Sequence, residues 1–335
     1  MRLRTALFAL ALACSGVFAS AQTPHAYQYF RVGAKNGVRV HPRAGYALMG
    51  GGTDQPVAFQ WLCNRADGGD LLVLRAAGTD DYDPWIQGIC HLNSVATLII
   101  PSRAAALDPF VARTIRQAAA IFIAGGDQSR YVRFWAGTPV ERALREAVRR
   151  GVPIGGTSAG LAVLGEYIYS AQNDLPDGPN LSAAVALANP FARQVVLAPD
   201  LLGIPILRGA ITDSHFDTRH REGRLLVFMA RILASGKAGV IHGIGIDEKT
   251  AVLVNPDGKA RVVGKGEADF YSASARPQAR PGVPLTFGPV AEQVVPTSGS
   301  FNLATWRSGG EQFTILVQNG KITRTARMPG QAAPP

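Results

Sequence analysis

Gly156-Thr157-Ser158-Ala159-Gly160 is the stretch whose reading organises the rest of the chain. It follows Val152-Pro153-Ile154-Gly155, an apolar, glycine-rich run of strand character, and opens a segment of helical character. A serine among small residues at such a junction can be held on a sharp turn, its hydroxyl exposed and the next backbone N–H groups able to receive developing negative charge. Non-catalytic α/β proteins also use glycine for tight strand-to-helix turns, so the surroundings decide whether Ser158 is a nucleophile.

Those surroundings alternate. Tyr46 to Met49, Leu71 to Leu74, Val95 to Ile100, Ala120 to Ala124 and Val152 to Ile154 read as buried strands. Pro56 to Arg65, Asp108 to Gln117 and Thr138 to Arg150 read as helices, the last with Val140, Leu144 and Val148 on one face. Alternation of this kind predicts an α/β fold, a mostly parallel sheet covered on both sides, with functional groups beyond the C-terminal strand ends. Residues 22 to about 42 lack periodicity and read as an irregular entry segment. Farther on, 180–198 reads as a small-residue surface insertion, Gly209 to Thr212 as a strand, and Arg219 to Leu233 as a helix. Ala238 to Ile246 and Thr250 to Asn255 read as strands, and residues 280–335 as a small β appendage and tail. The catalytic unit is accordingly placed at 22–279.

The first residues are excluded from the fold. Arg2 and Arg4 precede an apolar run from Ala6 to Ala13, and Ala19-Ser20-Ala21 has the form of a secretory cleavage site, so 1–21 reads as a signal peptide and the protein as secreted or periplasmic. Without Arg2 and Arg4 the formal charge falls from +10 to +8, still basic. Such a charge favours acidic partners. No lysine- or arginine-rich run is interleaved with aromatics, so nucleic acid is not an expected partner; no segment is long enough to span a membrane. Cys63 and Cys90 remain, without metal-ligand spacing, and an oxidising compartment would allow them to pair. The glycine turns at Gly50-Gly51-Gly52, Gly78 and Gly125-Gly126 carry neither a Walker lysine nor a full dinucleotide fingerprint, so no nucleotide cofactor is expected.

A serine nucleophile needs a base, and the base an orienting carboxylate. Of the six histidines, His25 and His41 fall in the entry segment, His91 beside Cys90, His220 within a helix and His242 inside an apolar strand. His215 follows a strand in a polar turn, on the rim where Ser158 is expected, and is the preferred base. Asp247-Glu248, at another strand end, and Glu166, after the serine, both stand as carboxylate candidates.

Taken together, Gly125-Gly126-Asp127-Gln128, Gly156-Thr157-Ser158-Ala159-Gly160, Asp213-Ser214-His215-Phe216 with Arg219, Arg221 and Arg224, and Gly243-Ile244-Gly245-Ile246-Asp247-Glu248-Lys249-Thr250-Ala251 resemble the cyanophycinase family of serine peptidases. The likeness runs in order from about Tyr46 to Gly266. It implies a flavodoxin-like, three-layer fold related to class I glutamine amidotransferases and aspartyl dipeptidases. It further implies Ser158 as nucleophile, His215 as base, Glu248 as orienting carboxylate, and the amides of Gly126 and Ala159 as oxyanion hole, with no metal or cofactor. The implied partner is a peptide or polymer rich in aspartate and arginine, cut to β-aspartyl-arginine, with Gln128, Asp213, Arg221 and Arg224 lining its site. Many family members carry glutamine before the histidine where this chain has Ser214, which bears on substrate choice more than on catalysis. An aspartyl or isopeptide dipeptidase is the near alternative. An α/β-hydrolase esterase using Ser158, Asp213 and His242, and a non-catalytic binding module, are the distant ones. A homodimer is left open.

Overall fold

The computed structural model describes residues 26–174 and 180–327; the segment read as a secretory leader, 1–21, and His25 lie outside them. The apolar runs pair as strands covered on both faces. Ser94–Ile99, Asp70–Arg75, Ala120–Ile123, Ile154–Thr157 and Tyr46–Met49 lie parallel, in that order, at the centre of a ten-stranded sheet. One face carries the helices Pro56–Arg65 and Tyr82–Ile89 through Phe59, Leu62 and Ile86. The opposite face carries Pro109–Gln117 and Pro139–Arg149 through Val111, Ile115, Val140 and Leu144. Thr138 caps the second of these with its hydroxyl on the Val140 amide at 3.2 Å, Pro139 fits the first turn, and the apolar stripe faces inward. This is the expected three-layer α/β core. The Cys63–Cys90 disulfide ties the first two helices together.

The parallel region is narrower than a mostly parallel sheet. Gln28–Gly33, inside the segment expected to be irregular, adds antiparallel to Ser94–Ile99, while Thr250–Val254 and then Lys259–Gly264 extend the other edge, also antiparallel. A nine-stranded second sheet packs beside the first. In it Ala210–Asp213 lies parallel to Tyr167–Tyr169 on one side and Ile241–Ile246 on the other, and the outer strands run antiparallel. Leu48, Ile154 and Val252 of the first sheet share one core with Ile244, Ile246 and Phe270 of the second. The helix Glu222–Ala234 covers the outer face of the second sheet with Leu225, Phe228, Met229 and Ile232.

The C-terminal segment is β, but it is no appendage. Val283–Pro296 pairs with Glu267–Ala273 in the second sheet, and Ser300–Asn302 pairs with Lys259–Gly264 in the first. Alternating apolar residues announce strands without saying which sheet receives them. Four helices also escaped the periodic reading: Tyr82–Ile89, Arg103–Ala106, Gln128–Trp135, capped by Asp127, and Ala183–Ala188 within the expected insertion. The outcome for function is one rim. Met49, Ile123, Thr157, Asp213 and Ile246 all end strands, and the loops that follow them carry the chemistry.

Candidate active site

Ser158 follows the strand Ile154–Thr157 and precedes the four-residue helix Ala159–Ala162, with φ 53° and ψ −115°. A non-glycine residue adopts such a backbone only where its surroundings impose it. Gly160 is one reason they can: a Cβ there would stand 2.0 Å from the carbonyl oxygen of Ile123, so only glycine lets the short helix lie flush on the neighbouring strand. Thr157, just before the nucleophile, is held by its hydroxyl on Asp54 at 2.6 Å; Tyr82 holds the other Asp54 oxygen at 2.6 Å.

One loop joins the three segments expected to converge. Ser158 donates its amide to the carbonyl of Met49 at 3.2 Å, His215 to that of Gly50 at 2.7 Å, and Lys249 to that of Gly51 at 2.8 Å. Three successive carbonyls thus fix the backbones of the nucleophile, the base and the residue after Glu248. Gly51, at φ +95°, also lies under the imidazole, and a Cβ there would be 2.5 Å from Cε1 of His215. The turn Gly50-Gly51-Gly52 is therefore a working part of the site. Its sequence signal, three glycines at a strand end, resembled ordinary turn chemistry.

The side chains complete the relay. Ser158 Oγ is 2.7 Å from His215 Nε2, and His215 Nδ1 is 2.5 Å from Glu248 Oε1. With Nδ1–H donated to the carboxylate, Nε2 is left bare to accept the serine proton. Burial holds the His215 imidazolium below its ordinary range, helped by Arg219 and Arg221, against the upward pull of Glu248. The imidazole is thus neutral, and basic, near pH 7. The hydrogen bond from His215 holds the Glu248 carboxyl below its usual range, so it is ionised there too. Glu166, the competing carboxylate, accepts from the amide of Gly209 instead.

Ala159, the first residue of its helix, has an amide with no intrahelical acceptor. The Gly125-Gly126 turn lies against the serine, since a Cβ on Gly125 would be 3.4 Å from Ser158 Cβ. Gly126 itself is exposed at φ +144°, and Tyr131 pins the turn through the carbonyls of Ala124 and Gly125 at 2.8 and 3.1 Å. Gly125 and Ala159 thus flank the nucleophile from two loops, and Gly126 is the next residue along the first of them. Gln128 opens the helix behind this turn and is half-buried.

Asp213, Arg221 and Arg224 are placed differently from the sequence reading. Asp213 and Arg224 are 3% and 1% exposed and bind each other through two contacts, at 2.7 and 2.6 Å. Arg221 reaches the same carboxylate at 3.3 Å and the carbonyl of Ser214 at 2.7 Å. The two arginines do share a helix side, as spacing implied, but they serve an internal aspartate. The pair holds the Asp213 carboxyl low against its burial, and it braces the Asp213-Ser214-His215 turn from behind. Motif charges read as substrate ligands are here a buried support, because burial is invisible in a sequence. The esterase arrangement is likewise not assembled: Asp213 is held by Arg224, and His242 stacks on Trp306 with ring centroids 3.8 Å apart.

The sequence profile of peptidase family S51 matches residues 94–262, half of the chain. A cyanophycinase of Geminocystis herdmanii is 32% identical over 166 residues, covering 48% of this chain and 52% of that protein. A cyanophycinase of Synechococcus elongatus is 32% identical over 230 residues, covering 65% of each. The chain thus spans between half and two thirds of the length of these curated relatives. Among solved structures, a peptidase from an acI-B1 Actinobacterium superposes with a TM-score of 0.50 over 78% of this chain and 98% of its own, at 18% identity, a likeness of fold. The matched stretch takes in Ser158, His215 and Glu248 together, and on that ground the chain belongs to peptidase family S51.

Proposed function

We propose that this protein is a serine peptidase of cyanophycinase type, cutting a peptide bond beside aspartate through an acyl-enzyme on Ser158. The observation that carries the reading is the continuous relay Ser158 Oγ, His215 Nε2, His215 Nδ1, Glu248 Oε1, with spacings of 2.7 and 2.5 Å. Neutral His215 takes the serine proton as Oγ attacks the carbonyl carbon. Negative charge then develops on the carbonyl oxygen, where the amides of Ala159 and Gly126 receive it. The imidazolium formed lies against ionised Glu248 and returns its proton to the leaving nitrogen, so the amine departs neutral. Water, deprotonated by the same histidine, attacks the ester and frees Ser158.

An arginine-substituted poly-aspartate is the substrate most consistent with the relatives, which are cyanophycinases; an aspartyl dipeptide is the alternative within the same chemistry. Action outside the cytoplasm is part of the proposal. It is supported by the Arg2, Arg4 and apolar leader pattern and by the Cys63–Cys90 disulfide. The test is to incubate purified protein with cyanophycin and with a panel of α- and β-aspartyl dipeptides, and to identify products by mass. Cleavage beside aspartate that disappears in Ser158→Ala supports the reading; cleavage of neither class by folded wild-type protein refutes it.

A further inference from the structure

One peptide unit joins Gly125 to Gly126, and its two ends are held differently. Its carbonyl, on Gly125, accepts from Tyr131 Oη at 3.1 Å, and the Ala124 carbonyl accepts from the same hydroxyl at 2.8 Å. Its N–H, on Gly126, donates to no acceptor among the described residues. In a trans peptide the C=O and N–H point opposite ways, so a hydroxyl that holds the oxygen also sets the direction of the N–H. The unit lies against the nucleophile, since a Cβ on Gly125 would be 3.4 Å from Ser158 Cβ.

The sequence of the turn leaves that direction free. Glycine populates mirror-image backbone regions with similar ease, and Gly126, at φ +144°, already sits in one that side chains disfavour. A peptide between two glycines therefore turns over at little conformational cost. In the turned form a carbonyl oxygen replaces the N–H and repels a developing oxyanion. Tyr131 opposes the turn from a rigid seat. It stands in the helix Gln128–Trp135, which Asp127 opens by accepting from the Ser129 amide at 2.8 Å. Its ring is 1% exposed and stacks on Trp135 with centroids 4.4 Å apart. Burial pushes the Tyr131 hydroxyl's pKa up, so it keeps the hydrogen it donates.

We propose that Tyr131 is a positioning residue for the oxyanion hole, its hydroxyl selecting the orientation of the Gly125-Gly126 peptide that turns the Gly126 N–H toward the tetrahedral intermediate on Ser158. The role in turnover rests on the peptidase reading; the hold on the peptide stands by itself.

The test compares wild type with Tyr131→Phe, which keeps the stacked ring and removes only the hydroxyl. Folding should be retained, checked by circular dichroism. In crystals of the two proteins, the Gly125 carbonyl is expected to point at Tyr131 in the wild type and to be turned, or split between two orientations, in the variant. On a cleaved aspartyl peptide, kcat is expected to fall by about tenfold to a hundredfold, less than the 10²–10³ that follows loss of a whole oxyanion donor. KM should stay within about threefold, because the N–H acts in the transition state and not in substrate binding. A wild-type crystal with the Gly125 carbonyl turned away from Tyr131, an unmoved peptide in the variant, or a kcat within about twofold of wild type overturns the proposal. So does a loss confined to KM. Failure of the peptidase reading looks different: wild type that cleaves no aspartyl peptide, with the peptide still turning in the variant, removes that reading and leaves the hold of Tyr131 on the peptide standing.

Discussion

Replacing Glu248 by glutamine keeps the side chain's length and removes its charge. In the structure Glu248 Oε1 accepts the His215 Nδ1 proton at 2.5 Å, which leaves Nε2 free of hydrogen and 2.7 Å from Ser158 Oγ. A glutamine can instead offer an N–H to Nδ1, placing the ring proton on Nε2, where it cannot accept from serine. The imidazolium formed during attack also loses its counter-ion. Loss of such a carboxylate costs up to about 10⁴ in rate, and because the Glu248 side chain is 25% exposed, screening should moderate this to about 10²–10³, or ~3–4 kcal/mol of transition-state stabilisation. The pH dependence supplies a second readout. In the wild type, burial depresses His215 below the ordinary 6.5, so kcat/KM should fall only as pH drops through a value lower than that. Glu248 pulls the histidine upward, so in Glu248→Gln the acid limb should move to still lower pH. The assay is kcat/KM on a cleaved aspartyl peptide between about pH 4.5 and 9, wide enough to hold the acid limb and the plateau above it. A variant within about threefold of wild type, with its acid limb unmoved, would refute the assignment of Glu248 as orienting group.

Three other outcomes follow from the geometry. Asp213→Asn leaves Arg224 buried without its partner and should destabilise the fold by about 3–5 kcal/mol in urea unfolding, with Asp213→Asn/Arg224→Met recovering much of it; a single variant as stable as wild type contradicts the internal-support role. Gly51→Ala puts a methyl 2.5 Å from the His215 ring at φ +95°, so kcat should drop by about 10² or more while circular dichroism stays native; unimpaired kcat speaks against the loop's part in positioning the base. Cys63→Ser, which opens a disulfide between residues 27 apart in sequence, should lower stability by about 3–4 kcal/mol and abolish the dependence of Tm on reductant. Equal Tm for wild type and variant would mean that the bond is not formed.

Ser158 and His215 were legible because each announces its place on the rim, whereas Glu248 was set apart from Asp247 and Glu166 only by the family resemblance. Ser158 lies in a glycine-flanked strand-to-helix junction, and His215 and Glu248 each follow an apolar run long enough for a strand. The parallel core was legible for the same reason: continuous apolar runs separated by amphipathic helices admit few other pairings. What failed were properties that depend on partners in space. Asp213, Arg221 and Arg224 look alike in sequence whether they grip substrate or one another, and only their burial distinguishes the two. Gly50, Gly51 and Gly52 looked like a turn because the groups that require their bareness, the Asp247 carbonyl, the His215 imidazole and the Glu248 side chain in turn, come from more than 160 residues away. Residues 283–326 advertise strands, yet whether these hang free or complete two sheets is set by long-range pairing that alternation does not encode.

The most direct test is to find the acyl-enzyme. Wild-type protein mixed with a cleavable aspartyl peptide, quenched in acid within the first turnover and digested, should yield a peptide spanning Gly156 to Gly160 that carries the acyl mass on Ser158. Ser158→Ala should yield none. Hydrolysis that persists in Ser158→Ala, or an adduct on any other residue, would contradict the account.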